Sequence, residues 1–266
     1  MNQTSLNRSF TTWSLLGFAA PSIIMMVFMS LYTIVDGIFI SRFVGSNALS
    51  SLNIVYPMIS VVIAIATMFA TGGNAIVSRY LGQGQEKQAR KALTEFVVIG
   101  VLISTVFAAL VILFEDPICR FLGANDELMA DCKAYLTISM LFAPACTLQT
   151  LFQSYFVTAS RPGLGLWLTV AAGILNAVLD YVLIVPIPLG IAGAALATGF
   201  GQLLPAVVGL IFFSIPRKTL RFCRFSFRPW EIRDACINGS SEMIGQMATA
   251  ITTFLFNIIL MRLAGS

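Results

Sequence analysis

Apolar stretches long enough to cross a bilayer recur along this chain. They lie at Trp13–Val35, Leu49–Ala70, Phe96–Phe114, Leu136–Thr158, Leu164–Val185, Ile191–Ile215 and Met243–Leu263, and are numbered spans 1 to 7. A membrane helix needs about 20 such residues. In lipid the backbone must satisfy its hydrogen bonds within the segment, which selects helices for runs this long. Only 11% of the 266 residues are charged, against about 25% in a soluble domain. The expected fold class is therefore all-α, a polytopic membrane protein. Span 1 exceeds the roughly 7–15 apolar residues of a cleaved signal peptide and is preceded only by Arg8, so it is expected to stay in the membrane.

Several chemistries find no residues to support them. Histidine is absent, which removes the commonest metal ligand and general base. The five cysteines, at 119, 132, 146, 223 and 236, form no C-x-x-C pair, so no zinc or redox motif is present. Cys119 and Cys132 flank one loop and are expected as free thiols. No cofactor and no enzymatic activity are expected. Basic residues sit in the connections between spans, so the net charge of +4 reflects topology and gives no nucleic-acid signal.

Counting Lys and Arg on alternate sides of seven spans gives 12 against 4, accounting for all 16. The richer side holds Arg8, the 79–91 connection, Arg161 and the 217–233 connection. The positive-inside rule places that side, with the N-terminus, in the cytoplasm of a cell inner (plasma) membrane. The connection carrying Glu115, Asp116, Asp126, Glu127 and Asp131 then faces outward. Span 1 ends Arg42-Phe-Val-Gly45-Ser46 and span 7 ends Arg262-Leu-Ala-Gly265-Ser266. Both fall on the outer side, as a parallel repeat of six-helix units requires. The expected organisation is a six-helix lobe over 1–216, a basic cytoplasmic linker over 217–234, and the first helix of a second lobe over 235–266.

Two carboxylates, Asp36 and Asp180, lie within spans that hold almost no other charge. A charge at mid-membrane costs about 2.5–3.5 kcal/mol on insertion scales, so such residues face a protein interior and usually bind an ion, a proton or substrate. Asn176 is four residues before Asp180 and shares its helix face. Spans 5 and 6 are joined by Pro186-Ile-Pro188-Leu-Gly190. Counting from that turn puts Asn176 and Thr198 about 16 Å deep and Asp180 about 10 Å deep, while Asp36 lies about 14 Å below Gly45. If spans 1, 5 and 6 are neighbours, two acids, an amide and a hydroxyl converge. That oxygen set suits a proton shared between carboxylates, or Na⁺. The bland alternative is that Asp180 bonds Asn176 or a tyrosine to fix helix packing.

The run Asn176-Ala-Val-Leu-Asp180-Tyr-Val-Leu-Ile, followed by Gly190-Ile-Ala-Gly-Ala-Ala-Leu-Ala-Thr198, resembles spans 5 and 6 of the multidrug and toxic compound extrusion (MATE) family. Val35-Asp36-Gly37 with Gly45-Ser-Asn-Ala-Leu49 resembles the end of that family's first helix. Leu81-Gly-Gln-Gly-Gln-Glu-Lys-Gln-Ala89 resembles its connection between helices 2 and 3. The resemblance implies an antiporter of two six-helix lobes that expels amphipathic, mostly cationic compounds in exchange for H⁺ or Na⁺. It assigns Asp36, Asn176, Asp180 and Thr198 to the cation site of the amino-terminal lobe and Pro21 to a bend. A proline removes a helix hydrogen bond, so a hinge there has a physical basis. The departure is length: seven spans against twelve, an incomplete transporter lacking its carboxy-terminal lobe.

Span 4 carries a polar strip in which Gln149 and Gln153 share a face, lining a cavity or joining helices. Glu242 is a further cavity candidate. Glu95 and Glu242, near the cytoplasmic starts of spans 3 and 7, can also snorkel to the interface. The 217–233 connection, with phenylalanines and Trp230 between arginines, reads as a segment lying on anionic lipid. The competing readings are a lipid-linked sugar flippase, an inactive fragment, and a seven-helix receptor or photopigment. A flippase needs basic residues opposite the acids, and the spans offer none. No lysine follows Lys218, which removes a Schiff-base pigment.

Overall fold

The computed structural model describes residues 20, 23–25, 27, 28, 30, 31, 34, 36–216, 219–225 and 227–264, with backbone alone at 46, 257, 258 and 260–264. Pro21 and the Gly265-Ser266 end of the repeat lie outside the described residues. Every regular element among them is helical. Four helices, those of spans 2, 3, 5 and 6, are long and apolar enough to cross a membrane, and a bent pair in span 4 makes a fifth. Span 1 includes undescribed positions, and span 7 is described by its backbone alone at several positions near its end. The architecture is a membrane helical bundle.

Several helices run well past their apolar stretches. Span 2 extends from Ser46 to Gly82, 37 residues, or about 55 Å at 1.5 Å per residue, beyond the roughly 30 Å hydrocarbon layer. It ends at a tight turn in which Gly84 takes φ 73°, a region glycine enters without strain. Span 3 follows as Glu86–Leu113, then a short helix Glu115–Phe121. Spans 5 and 6 are Pro162–Ile184 and Gly190–Ser214. Span 7 begins at Pro229 and runs to Ala264. Part of the expected 217–234 linker is therefore the first turn and a half of that helix.

Span 4 departs from the expected single helix. It consists of Met129–Leu141 and Ala143–Thr158, bent by 51° at Phe142. Pro144 explains the break, because it has no N–H to donate and its ring crowds the carbonyl of Met140.

Span 2 is the spine of the bundle, touching spans 3, 4 and 7 and the π-helical end of span 1, Ile40–Val44. At the end of the bundle that carries the 217–233 connection the core is aromatic: Phe152 and Phe213 lie 5.4 Å apart and Phe156 stacks on Phe213 at 5.6 Å. Span 7 crosses span 2 where both backbones are bare. A Cβ on Gly72 would lie 1.9 Å from the Ala235 carbonyl oxygen, and one on Gly239 would lie 2.1 Å from that of Met68. Any side chain at either position forces the helices apart, and small residues are what allow such approach.

Cys119 and Cys132 are buried free thiols, as expected. Burial pushes the Cys119 thiol up to about 11, so it stays protonated and unreactive. Glu95 does not snorkel: it is wholly buried, its Oε1 accepting the Arg228 backbone N–H at 2.6 Å. The helix of span 7 also does not stand free, since Glu231, Ala235 and Ala250 on it are buried.

Candidate functional site

The site is set by how spans 5 and 6 pack. They form an antiparallel pair through the short turn between Ile184 and Gly190, with Gly190 at φ 60°. Small residues on span 6 bring the pair close. A Cβ on Gly193 would lie 2.9 Å from the Leu183 carbonyl oxygen, and one on Gly201 would meet the Asn176 Cβ at 3.2 Å. This contact buries Asn176 and Asp180 almost completely. It also brings Asn176 Nδ2 within 3.4 Å of Thr198 Oγ1, a long bond that uses only part of each group's capacity.

The half-buried Asp36 enters from the last helical turns of span 1. Its carboxyl group meets that of Asp180 within hydrogen-bonding reach. Asp36 Oδ1 and both oxygens of Asp180 are buried, and none accepts a hydrogen bond from the described residues. Two carboxylates in contact, with no N–H or O–H to satisfy them, are stable only with a positive species between them. A proton shared by the pair meets that need, and so does a small hard cation. Packing alone does not account for the arrangement. A structural Asp180 would accept from Asn176 or a tyrosine, and it accepts from neither.

On the far side of Thr198 a cavity of about 40 Å³ opens among spans 2, 4 and 6, lined by Tyr135, Ser139, Cys146, Thr198 and Gln202 among others. It is large enough for water. Phe142, at the break in span 4, lines it as well. Tyr135 and Gln202 escaped sequence reasoning, since a lone polar residue in an apolar helix gives no signal until the break that groups them is known.

The remaining candidates lie elsewhere. Gln153 Nε2 donates to Thr169 Oγ1 at 3.2 Å and so ties span 4 to span 5. Gln149 has a buried carbonyl oxygen with no donor. Glu242 is exposed on span 7. Among the described residues no group of three or more Cys, His, Asp or Glu is placed to hold a metal.

Multidrug export protein MepA of Staphylococcus saprophyticus is 27% identical over 197 residues, covering 74% of this chain and 44% of that protein. MepA of Staphylococcus haemolyticus is 24% identical over 209 residues, covering 79% and 46%. Among solved structures, a MOP-superfamily transporter from Pyrococcus furiosus shares the fold with a TM-score of 0.83 at 19% identity, covering 92% of this chain and 54% of that one. A MATE-family multidrug resistance transporter in its outward-facing conformation gives 0.82 at 20%, covering 89% and 53%. The chain thus spans about half the length of the curated relatives it matches. The MatE family profile fits residues 21–182, more than half the chain and the stretch that carries Asp36, Asn176 and Asp180, and the chain accordingly belongs to the MatE family.

Proposed function

We propose that this chain forms the amino-terminal lobe, with the first helix of the second lobe, of a multidrug efflux antiporter. It exchanges amphipathic, mostly cationic compounds for H⁺ or Na⁺ across the cell membrane. The observation that carries this reading is the Asp36–Asp180 contact, in which three buried carboxylate oxygens have no donor. Such a pair takes up a proton or a cation when exposed to one side, and gives it up when the opposing side offers fewer. Asn176 and Thr198 contribute an amide oxygen and a hydroxyl beside it. The similarity to MepA supports multidrug export. A carboxy-terminal lobe is the required partner, because alternating access needs two halves moving about a shared site.

Membrane vesicles holding a twelve-helix protein built on this lobe test the reading directly. A fluorescent amphipathic cation is expected to move when either a proton gradient or a sodium gradient is imposed, and the effective gradient identifies the coupling ion. Movement indifferent to both gradients overturns the antiport assignment.

The same reading places the N-terminus in the cytoplasm. Cysteines introduced at Asn125 and at Gln85 in a cysteine-free background separate the two orientations. An impermeant thiol reagent added outside intact cells is expected to modify position 125 and spare 85. The reverse pattern inverts the topology.

A further inference from the structure

Among the described residues three acids are buried: Asp180, Glu95 and Glu231. The last two meet at the cytoplasmic end of the lobe, Glu95 on span 3 and Glu231 in the first turn of span 7. Arg228 joins them. Its backbone N–H donates to Glu95 Oε1 at 2.6 Å, and its guanidinium donates to Glu231 Oε1 at 2.5 Å and to Gln88 Oε1 at 2.7 Å. From span 2 the Tyr80 hydroxyl donates to Glu231 Oε1 at 2.8 Å. The second oxygens, Oε2 of Glu95 and Oε2 of Glu231, are buried and receive no donor.

The charge count does not balance. Two carboxylates face one guanidinium, and among the described residues no other cation forms an ion pair with either carboxylate. Arg79 lies over the Tyr80 ring at 5.5 Å. Arg90 binds Glu86 at 2.7 Å and the Thr219 carbonyl at 2.6 Å. Arg233 pairs with Asp234 at the surface. Leaving one buried negative charge uncompensated carries a large desolvation cost, whereas one added proton makes the cluster neutral.

We propose that Glu95, whose buried Oε2 has no donor while the Arg228 guanidinium is taken by Glu231, holds one exchangeable proton, a second protonation site at the cytoplasmic end of the lobe, and that this proton keeps the linker and the foot of span 7 fastened to spans 2 and 3. Three further bonds hold the linker in the same place. The Cys223 N–H donates to Thr94 Oγ1 at 3.1 Å, Arg90 Nε donates to the Thr219 carbonyl, and the Phe222 N–H donates to the Phe213 carbonyl at 2.8 Å. Loss of the proton leaves a net buried charge that only water can stabilise, and water reaches it when the segment around Arg228 lifts. The fastening is therefore complete at low pH and lost as pH rises. This site goes beyond the antiport reading and stands whether or not Asp36 and Asp180 bind a coupling ion.

The test uses the full chain in lipid nanodiscs, with Asp36→Asn and Asp180→Asn introduced so that the outer pair contributes no signal. Backbone hydrogen exchange over residues 219–233, corrected for intrinsic chemistry, is compared at about pH 6 and about pH 9. Protection around Arg228 is expected to fall about tenfold at the higher pH. The infrared band of a protonated carboxyl group is expected to disappear over the same interval. In Glu95→Gln or Glu231→Gln one carboxylate faces one guanidinium, so the band should be missing and protection should change less than about twofold. The background protein alone decides the matter if a variant fails to fold: unchanged protection, or no carboxyl band, overturns the proposal. So does a glutamine variant that keeps both pH responses.

Discussion

Asp36→Asn and Asp180→Asn, each made in a twelve-helix protein built on this lobe, are expected to reduce ion-driven efflux at least about tenfold, to background, with membrane insertion nearly unchanged. The asymmetry between the two outcomes comes from the local hydrogen bonding. No described donor points at the oxygens of Asp180, so an amide there gains a bond by donating to Asp36 and loses none. The contact between spans 1 and 5 survives. What disappears is the second carboxylate, and with it the capacity to exchange a proton or to neutralise a cation. Thr198→Val should act far more weakly, by a few-fold, because its bond from Asn176 is already long at 3.4 Å and a neutral hydroxyl contributes modestly. Efflux of a fluorescent amphipathic cation from energised cells measures all three. Undiminished efflux in either aspartate variant removes that residue from the coupling mechanism.

The 266 residues expressed alone are expected to insert in the membrane and to confer no drug resistance. Co-expression of the carboxy-terminal helices of a relative should restore part of it. The six-span lobe encloses its own polar groups, with Asn176, Asp180 and Glu95 all buried. Span 7 is different. Packed on span 2 along one side, it leaves Ile237, Ile244, Ile251 and Leu255 exposed on the other, together with Glu242, Thr249 and Thr252. A face that mixes isoleucines with hydroxyls and an acid suits neither lipid nor water alone. Drug susceptibility of a strain lacking its own efflux pumps gives the readout. Substrate extrusion by the purified chain in liposomes, without a second polypeptide, would sink the half-transporter reading.

Much of this was legible in the sequence because membrane helices announce themselves by apolar length. Spans 2, 3, 5 and 6 were placed in this way, and counting residues from the outer turns put the Asp36 and Asp180 side chains at a common depth before any packing was known. Helix ends were less legible. The apolar runs of spans 2 and 7 stop near Ala70 and begin at Met243, yet the helices continue to Gly82 and start at Pro229. Those extra turns carry Arg79, Glu231 and Asp234, which a hydropathy reading assigns to loops. The bend in span 4 was missed although Pro144 was visible, because prolines inside membrane helices are commonly absorbed without a break. Pro57 and Pro205 lie within continuous helices here. The Glu95–Glu231 cluster had no sequence signature, since its members come from different helices and meet only through tertiary packing.

The bare-backbone crossing of Gly72 and Gly239 alters where the molecule can be cut. A connection rich in arginine invites division near residue 216, as though everything after it belonged to the other half. Contact says otherwise: the opening turns of span 7, through Gly239, are seated on span 2 and share their buried acid with spans 2 and 3. Severed at 216, the first half would lose the backbone that fills the notch at Gly72, the carboxylate that receives Tyr80, and the arginine that caps Glu95. Contact continues beyond Gly239, where Ala250 is buried and Phe254 stacks on Phe121 with ring centroids 6.0 Å apart, so span 7 rides on the first six spans well past its opening turns. On the proposed two-lobe reading, span 7 would have to move with the first lobe, and the linker would serve as an anchor for its foot.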